Sequence, residues 1–507
     1  MYRIYSASKD TYITDRIVNS AYRVTDANVG QAGTLDLFKL YNETNLTGST
    51  NQTEISRILL KFDYSSILQM QNQGKIDIND SSFSCSLKLH DVYGGQTTPS
   101  NFNIIVFPLA QEFDEGVGFD ITAYKDLGSS NFVTASVSNS TVKMWNTAGA
   151  RASGSLGDSN IDVIVSGSLA GPDGTSVVGL SPSQHFPEGV EDLEVDVTNI
   201  VSGAISGQIT NHGLLVALSG SHEKDTKSYF VKRFASRNSA NTAIRPKLIV
   251  KYDDSIQDNH QDMLFDITSS LYLNNFHYGT AANILSGLAA NELTGENCVT
   301  LKIESGSFKK IFSASQAQRG INRLTGVYSS SFAISSFETA LRKHIVTTGS
   351  ITFDEVWGSA DESVTFLSSS ITINPNQRFG FRNKHQNLLV TVTNLKDAYK
   401  QDDVINVRVF SENRDKDVVF SKFPREKKSQ IFHEMFYRVR DFNSGKIVIP
   451  FDTNKKSTRL STDADGMYFD FYVSSLARGR LYVFDFLIRK NGFDSIIDDA
   501  ASKFRVD

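Results

Sequence analysis

The sequence predicts an all-β protein, with an N-terminal jelly-roll β-sandwich followed by two immunoglobulin-like β-sandwiches. Three observations lead to this fold class. Short runs of β-branched and aromatic residues alternate with polar residues, which is typical of strands. Loops rich in Gly, Ser, Asn and Asp separate these runs. The length of 507 residues suggests about three domains.

Composition argues against several function classes. The formal net charge of -5, with both signs well mixed, gives no bulk attraction to nucleic acid. No apolar run is long enough to span a membrane, and Met1–Asp10 lacks the apolar core of a signal peptide. We therefore expect a soluble protein made in a cytoplasm. Cys85 and Cys298 are expected to be free thiols, because two distant cysteines make no disulfide or metal framework.

The first domain, residues 1 to about 252, is organised around the stretch Glu54–Ile67. It reads as one buried strand that turns after Asp63. Leu59 and Leu60 are adjacent and both apolar, which predicts a strand with one face in a core and the other against a second layer. Its polar members Arg57, Lys61 and Asp63 are interpreted as salt-bridge and turn partners.

Further runs in this domain bring the total to roughly eight to ten strands with long connections, a pattern that suits a jelly roll. The other predicted strands are Lys9–Thr14, Asn28–Phe38, Ser84–His90, Asn103–Leu109, Ile161–Val165, Leu193–Val201, His212–Leu218, Phe230–Ser236 and Lys247–Tyr252, with a short helical turn at Ala204–Gln208. The Gly-, Ser- and Asp-rich segment 149–185 is expected to form surface loops and to contact neighbouring subunits.

The order of several short motifs in this domain resembles the DNRLRE family of jelly-roll domains. The matching stretches are Asp10–Ile13, Asn28–Gly30, Ser56–Asp63, Ser86–Leu89, Val195–Thr198 with Ser206–Gly207, Asn211–Leu215, Phe234–Arg237 and Arg245–Tyr252. The resemblance covers half the chain. It implies a jelly-roll fold and, because the family is also described as a carbohydrate-binding module, a possible glycan ligand.

Two more β units follow a polar, acidic linker at 253–260. Strand patterns in 261–378 and 385–507 predict an immunoglobulin-like sandwich in each range. The first of them is expected to contain a helix at Ser336–Ile345, capped by Ser336. The second is expected to end in a short helix at Ser495–Phe504.

No catalytic, cofactor-binding or metal-binding residues are predicted. Asp463–Gly466 resembles the start of a calcium loop, but Ser474 stands where a bidentate Glu is required, so a plain turn is favoured. A structural calcium near the N-terminal strand, held by Asp10, Asp26 and Asp196, is the weaker alternative to no metal. No nucleophile elbow and no phosphate-binding loop occur.

Three other polar or aromatic clusters have ordinary structural interpretations. The carboxylates Glu112, Asp114 and Glu115 are expected in a solvated loop, since sequence proximity does not place glycosidase carboxylates across a groove. The basic run Lys422–Lys428 is interpreted as a solvated loop or a subunit contact. In the run Tyr468–Tyr472, Phe469 and Phe471 are expected in a sandwich core, with Tyr468 and Tyr472 on the opposite face.

These features favour a non-enzymatic structural protein of the virion of a tailed bacteriophage, in the tail, baseplate, neck or fibre attachment. Thr348–Trp357 and Gly466–Phe471 also resemble stretches of β-rich virion proteins. The expected partners are other virion proteins and copies of itself, with no nucleic acid and no membrane. The alternative is an adhesin that binds a host glycan through loop aromatics such as Trp145. A polysaccharide-degrading enzyme is disfavoured, because two sandwiches leave no length for a catalytic module.

Overall fold

The computed structural model of the chain describes residues 1–44, 53–95, 97–122, 128–170, 176–177, 179–286, 291–376, 387–414, 427–490, 493–498 and 503–507. Strands dominate these residues and helices are few and short. The predicted all-β fold class is therefore confirmed. In the described residues, no helix is both long and apolar enough to cross a membrane.

Over its described residues, the first unit contains nineteen strands, three short α-helices and a 3-10 helix at Thr242–Ile244. The strands are β1 (Tyr2–Ser6), β2 (Lys9–Thr14), β3 (Ile17–Val18), β4 (Tyr22–Arg23), β5 (Thr34–Tyr41), β6 (Thr53–Lys61), β7 (Ser84–Leu89), β8 (Phe102–Pro108), β9 (Thr134–Ser138), β10 (Thr141–Met144), β11 (Ser153–Ser155), β12 (Val163–Ser166), β13 (Leu169–Ala170), β14 (Ser176–Val177), β15 (Ser183–Phe186), β16 (Leu193–Asp196), β17 (Leu214–Leu218), β18 (Tyr229–Ala235) and β19 (Lys247–Lys251). The helices are α1 (Ser65–Asn72), α2 (Thr198–Ile205) and α3 (Gly220–Lys224).

Two sheets of this unit form the sandwich. One is four-stranded in the order β1-β19-β7-β16, and the other is seven-stranded in the order β15-β8-β17-β6-β5-β18 with β2 added against β6. One large apolar cluster draws on both sheets. The short helix predicted at Ala204–Gln208 begins earlier than expected, because α2 spans Thr198–Ile205.

Strand β6 is buried on both faces. Ile58 and Leu60 lie in the core between the two sheets, whereas Leu59 lies in a separate cluster on the outer face of the seven-stranded sheet. Alternate residues of a strand point to opposite faces, so the adjacent leucines serve two different cores. The predicted second layer therefore exists, and it accounts for the apolar neighbours in this stretch.

The second layer is formed by residues between about 129 and 165, which we call the covering layer. Its buried members Ala135, Trp145, Ala150 and Val163 pack with Leu59 on the outer face of the large sheet. The Gly- and Ser-rich segment that starts at 149 is therefore packed against the sheet over its described first part. Residues 171–175 and 178 of the segment 149–185 lie outside the described residues.

The second unit is a sandwich in which one long strand serves both sheets. Its elements are β20 (Ser269–Asn274), β21 (Phe276–His277), β22 (Thr280–Ala281), β23 (Leu285–Ser286), β24 (Asn291–Glu292), β25 (Val299–Ser305), β26 (Phe308–Arg319), β27 (Asn322–Phe332), α4 (Arg342–Thr348), β28 (Ile351–Ser359) and β29 (Thr365–Ile373). The first half of β26 pairs with β25 and its second half pairs with β27. A strand that switches sheets in this way closes the two layers on one core.

The helix expected at Ser336–Ile345 is displaced, because α4 spans Arg342–Thr348. Ser336 does not cap it. Instead, the backbone N–H and the hydroxyl of Ser336 donate to the Asp266 carboxylate at 2.9 and 2.6 Å. That contact holds the chain in turns before the helix starts, and Leu341 occupies the cap position without a side-chain hydrogen bond.

The third unit is a sandwich of a four-stranded and a six-stranded sheet. Its strands are β30 (Leu388–Val392), β31 (Ala398–Tyr399), β32 (Val404–Asn413), β33 (Met435–Asp441), β34 (Ile447–Ile449), β35 (Ser461–Asp463), β36 (Gly466–Tyr472), β37 (Arg480–Lys490), β38 (Phe493–Ile497) and β39 (Lys503–Val506). The boundary predicted between the second and third units, 378 to 385, lies outside the described residues.

The predicted terminal helix at Ser495–Phe504 is wrong over its described part. Residues up to Ile497 form β38 and residues from Lys503 form β39, and both strands pair with β37. Phe504 is fully buried and stacks on Phe484, with 5.0 Å between ring centroids. Pairing to a central strand and burial of one aromatic ring outweigh local helix propensity here.

Candidate functional site

An open cleft of 830 Å³ lies on the outer face of the large sheet, beside the covering layer. We call it the sheet cleft. Its lining includes Tyr41 and Phe107 together with charged side chains on β4, β6 and α3. The sheet supplies its floor and the covering layer one of its walls.

Several charged groups of the sheet cleft are paired within the chain. The guanidinium of Arg57 binds Glu223 through two hydrogen bonds of 3.0 and 2.6 Å and also donates to two carbonyls of the covering layer. Burial opposes ionisation of Asp225, but hydrogen bonds from Lys39 and Tyr229 outweigh it and lower its pKa to about 2. Arg57 is therefore a salt-bridge partner, as predicted. Its contacts hold α3 and the covering layer against the sheet.

The other polar members of the central stretch also have the partners expected of them. Lys61 pairs with Glu112 at 2.8 Å, and this hydrogen bond lowers the pKa of Glu112 despite some burial. Asp63 accepts the backbone N–H of Ser65 at 2.9 Å, at the turn into α1. None of the three therefore needs a ligand to explain its charge.

Trp145 is not a loop aromatic that could stack on a sugar. Its side chain is only 4% exposed, in the cluster beneath the covering layer. Its indole N–H donates to the carbonyl of Asn131 at 3.0 Å. The adhesin hypothesis therefore loses the contact residue that the sequence suggested, because a buried ring offers no face to a glycan.

One polar network at the edge of the first unit joins three of the motifs that resemble the DNRLRE family. They are Asp10–Ile13, Asn28–Gly30 and Phe234–Arg237. Arg237 makes a two-pronged ion pair with Glu115, and Glu115 also accepts the backbone N–H of Asp10 at 2.8 Å. The amide of Asn28 donates to the carbonyl of Glu115 at 2.7 Å, and a side chain at Gly30 would collide with that same carbonyl. The motifs thus fasten a long loop to β2. The Glu115 side chain is only 12% exposed in this network, so the prediction of a solvated loop is wrong for that residue.

The proposed calcium donors do not come together. Asp10 is almost fully buried, and its carboxylate accepts the backbone N–H of Arg237 at 2.5 Å. Burial raises the pKa of Asp10 to about 7. Asp196 instead accepts the N–H of Thr198 at the start of α2. Across the described residues, no group of three or more His, Cys, Asp or Glu side chains is placed to hold a metal ion.

The first and third units share a buried apolar interface. Tyr2 and Ile4 of β1, with Ile249 opposite on β19, belong to the hydrophobic cluster of the third unit. The N–H of Ile4 also donates to the Ser475 hydroxyl at 3.1 Å. On the same strand, the guanidinium of Arg3 stacks 3.7 Å from the ring centroid of Tyr472. One face of the first sandwich therefore completes the core of the last.

The linker predicted at 253–260 is instead a packed junction between all three units. It runs beside β35, where the carbonyl of Ile256 accepts the N–H of Thr462 at 2.9 Å and the N–H of Asp258 donates to the Thr462 hydroxyl at 2.9 Å. Asn259 then bonds the backbone of Ser270 on β20 in both directions, at 2.9 Å each. A polar sequence therefore serves here to satisfy backbone groups of neighbouring units.

The β26–β27 hairpin completes the contacts among the units. The Arg319 guanidinium donates to the carbonyl of Lys75 at 2.9 Å, and the Asn322 amide donates to the carbonyl of Ile76 at 3.2 Å. Gly320 adopts a φ of +58°, and a Cβ there would overlap the Asp77 carboxylate. The hairpin tip of the second unit is thus fitted to the loop after α1 in the first.

His260 lies at the centre of the junction between two carboxylates. Its ring nitrogens lie 2.5 Å from Asp258 and 2.9 Å from Glu355. Burial disfavours the charged ring, but the hydrogen bonds and charges of these carboxylates outweigh that penalty and raise its pKa to about 10. A protonated His260 therefore links the junction segment to the core of the second unit, where Glu355 also accepts the Trp357 indole N–H.

We expect the protein to lose a few kcal/mol of stability between pH 6.5 and 10 through His260. The folded-state pKa is raised above the ordinary 6.5, so the stabilisation is complete below pH 6.5 and is lost as the pH rises through 10. Urea unfolding of the wild type and of His260→Gln at several pH values in this range measures the difference. The two free energies of unfolding should converge as the pH rises, and a constant difference would contradict the assignment.

The remaining sequence candidates have structural positions. Asp463 accepts the N–H groups of Asp465 and Gly466, which makes the expected turn between β35 and β36. Phe469 and Phe471 lie in the core of the third unit, as predicted. Residues 422–426 of the basic run lie outside the described residues, and Lys427 pairs with Glu412. Both cysteines are free thiols, as expected.

The fold and these contacts define a protein of three β-sandwich units joined by a packed junction. No protein-family model and no curated protein matches the chain. Among solved structures, the N-terminal Ig1-2 module of Drosophila receptor protein tyrosine phosphatase DLAR aligns at 7% identity, covering 50% of this chain and 95% of that one, with a TM-score of 0.13.

Two α-2-macroglobulins also align with the chain. The trypsin-activated protein from Escherichia coli aligns at 8% identity with a TM-score of 0.15, covering 99% of this chain and 31% of that one. The methylamine-reacted Salmonella protein gives 8% identity, the same TM-score and coverages of 99% and 34%. The chain thus spans about a third of the length of these two proteins.

Proposed function

We propose that this chain is a structural, non-enzymatic virion protein of a tailed bacteriophage, in the tail, baseplate, neck or fibre attachment. The observation that carries the proposal is the junction. Ile4 and its neighbours bury one face of the first sandwich in the third, and the segment 253–262 bonds to both later units. Such contacts hold three sandwiches as one block, which is the property that a repeated building block requires.

Mass spectrometry of purified particles, followed by reconstruction, tests this role. We expect the chain in a fixed ratio to the other virion proteins and at symmetry-related positions. The segment 149–170 should be cleaved by protease more readily in the free chain than in the particle, because neighbouring subunits would shield it there. Absence of the chain from purified particles would refute the proposal.

Glycan binding is the second candidate, and the sheet cleft is the observation that favours it. The cleft is open, lies on a sheet face and is lined by Tyr41 among charged side chains. Sugar sites commonly combine an aromatic surface with polar groups of this kind. Binding of the purified protein to a glycan array, lost in Tyr41→Ala and kept in the wild type, would establish this role instead.

A further inference from the structure

Strand β29 (Thr365–Ile373) is the outer strand of the second unit and has no second strand partner among the described residues, although the next residue, Asn374, is bonded to Met263 and Phe265. It pairs along its whole length with β28 and ends the strand order of its sheet. Its side chains are exposed on both faces from Leu367 to Ser370. In an antiparallel edge strand, part of the backbone N–H and C=O groups point away from the only partner. Those groups form a ready template for another strand.

Apart from one irregularity near its start, β29 carries none of the usual protection of an edge. Its nine residues include no charged residue, no Pro and no Gly. By contrast, the edge strand β18 carries Lys232 and Arg233, and β38 carries Asp494. Edge strands that must stay single are normally blocked by charges, proline, bulges or a covering segment. The only irregularity in the β28–β29 ladder lies at its far end, next to Thr365.

At the other end of the strand order, β20 is partly covered by the chain itself. There, Asn259 of the junction bonds both the N–H and the carbonyl of Ser270 on β20. The edge of β20 is therefore blocked at Ser270, whereas the outer edge of β29 carries no strand in the described part of the chain. Among the described residues, β29 thus offers the longer stretch of strand without an outer neighbour.

The sequence of β29 is complementary to itself in the antiparallel direction. With Ser369 opposite its own copy on a two-fold axis, Leu367 faces Ile371 of the partner subunit, and no charges meet. Leu367, Ile371 and Ile373 share one face because strand side chains alternate, and the two isoleucines are buried in the core. Leu367 itself is 41% exposed. Pairing would therefore bring the partner's backbone and the edge of its core beside Leu367 and reduce the exposed area of that side chain.

We propose that two copies of this chain associate by antiparallel pairing of β29 about Ser369, which joins their second units into one continuous sheet. The backbone hydrogen bonds supply affinity and the Leu367 contact fixes the register. A two-fold interface of this kind uses the same surface on both copies. The inference rests on the proposed assembly role, since it names a surface through which copies of the chain would assemble.

Substitution Ser369→Lys tests the pairing, because it places two ammonium groups directly opposite each other at the axis. Like charges in that position destabilise a strand pair. We expect the dimer dissociation constant, measured by sedimentation equilibrium, to rise about tenfold or more, equivalent to about 1.4 kcal/mol. The matched control is Ser307→Lys, which adds the same charge at an exposed turn between β25 and β26. It should leave the dissociation constant unchanged, and equal unfolding curves would show that both variants are folded.

Cross-linking provides a second readout that does not depend on weakening the contact. Directly opposed residues in an antiparallel pair have Cβ atoms close enough for a disulfide. Oxidation of Ser369→Cys is therefore expected to give a covalent dimer, whereas Ser307→Cys should remain monomeric. Equal cross-linking of the two variants would overturn the proposed axis.

The outcomes separate this inference from the proposed function. A wild-type chain that stays monomeric at the highest attainable concentration, yet is present in purified particles, refutes the pairing and leaves the virion role intact. If the wild type dimerises in solution but is absent from purified particles, the pairing is supported and the virion role is refuted. If the wild type is monomeric and Ser369→Lys is excluded from particles, β29 pairs with a different protein, and the two-copy proposal is wrong.

Discussion

Replacing Asp162 with alanine is expected to detach the covering layer and to lower the free energy of unfolding by at least ~1–3 kcal/mol. The Asp162 carboxylate is fully buried and accepts five hydrogen bonds. Its donors are the Gln111 amide at 2.7 Å, the Asn146 backbone and amide at 2.7 and 3.1 Å, the Thr147 N–H at 3.1 Å and the Ala152 N–H at 3.0 Å. Alanine would leave these buried donors without an acceptor, at a cost of about 1–3 kcal/mol for each one that water cannot reach.

Trp145 fluorescence during urea unfolding is the measurement that checks this prediction. The ring belongs to the covering layer and packs against the sheet, so its emission should shift to the red at lower urea than the global transition. Asp158→Ala is the matched control, because Asp158 is exposed in the same segment and accepts the N–H of Ser155. We expect the control to cost less than about 1 kcal/mol. Equal losses in both variants would show that Asp162 does not anchor the layer.

Replacing Ile4 with aspartate is expected to separate the third unit from the first. Ile4 is only 9% exposed and lies among apolar side chains of the third unit. An ionised carboxylate there would have no cationic partner in the interface cluster, and burying an unpaired charge costs several kcal/mol. The interface should therefore open before either sandwich unfolds. Small-angle scattering should show a larger radius of gyration, and protease should cleave within 253–262.

Ile4→Val is the control for this variant. It removes one methyl group from the same site and should cost about 0.5–1.5 kcal/mol without changing the radius of gyration. A compact Ile4→Asp variant with wild-type protease resistance would show that the hydrogen bonds of the junction suffice to hold the units together. The proposed building-block role would then rest on those polar contacts rather than on the shared core.

Local sequence patterns succeeded where neighbouring residues determine the structure. Leu59 and Leu60 indicated a strand between two layers, and the alternation through Phe469 and Phe471 identified a core face. The pattern predicts no strand over β26, because its first half is mostly exposed and its apolar residues do not alternate regularly with polar ones. It also failed for the terminal helix, which tertiary pairing converts into strands.

The contacts of the candidate sites could not be predicted because their partners are distant in sequence. Glu115 resembles any acidic loop residue until Arg237, 122 residues later, is brought beside it. Ser336 resembles a helix cap until Asp266 takes its hydrogen bonds. Trp145 was the most conspicuous candidate for ligand binding, and only the covering layer shows that its ring is inaccessible. The contacts of Glu115, Ser336 and Trp145 therefore depend on which distant residues the fold brings beside them, and residue type alone does not predict those contacts.

The pairing of β1 with β19 has a consequence for how the protein is made. The partner of the first strand, Lys247–Lys251, is synthesised nearly half a chain later. At ~5–20 residues per second, that delay is on the order of ten to fifty seconds. Tyr2 and Ile4 must then wait again for the last unit to cover them. Strand β1 is therefore among the last strands of this chain to reach its final surroundings, because Tyr2 and Ile4 are covered only once the third unit has been made.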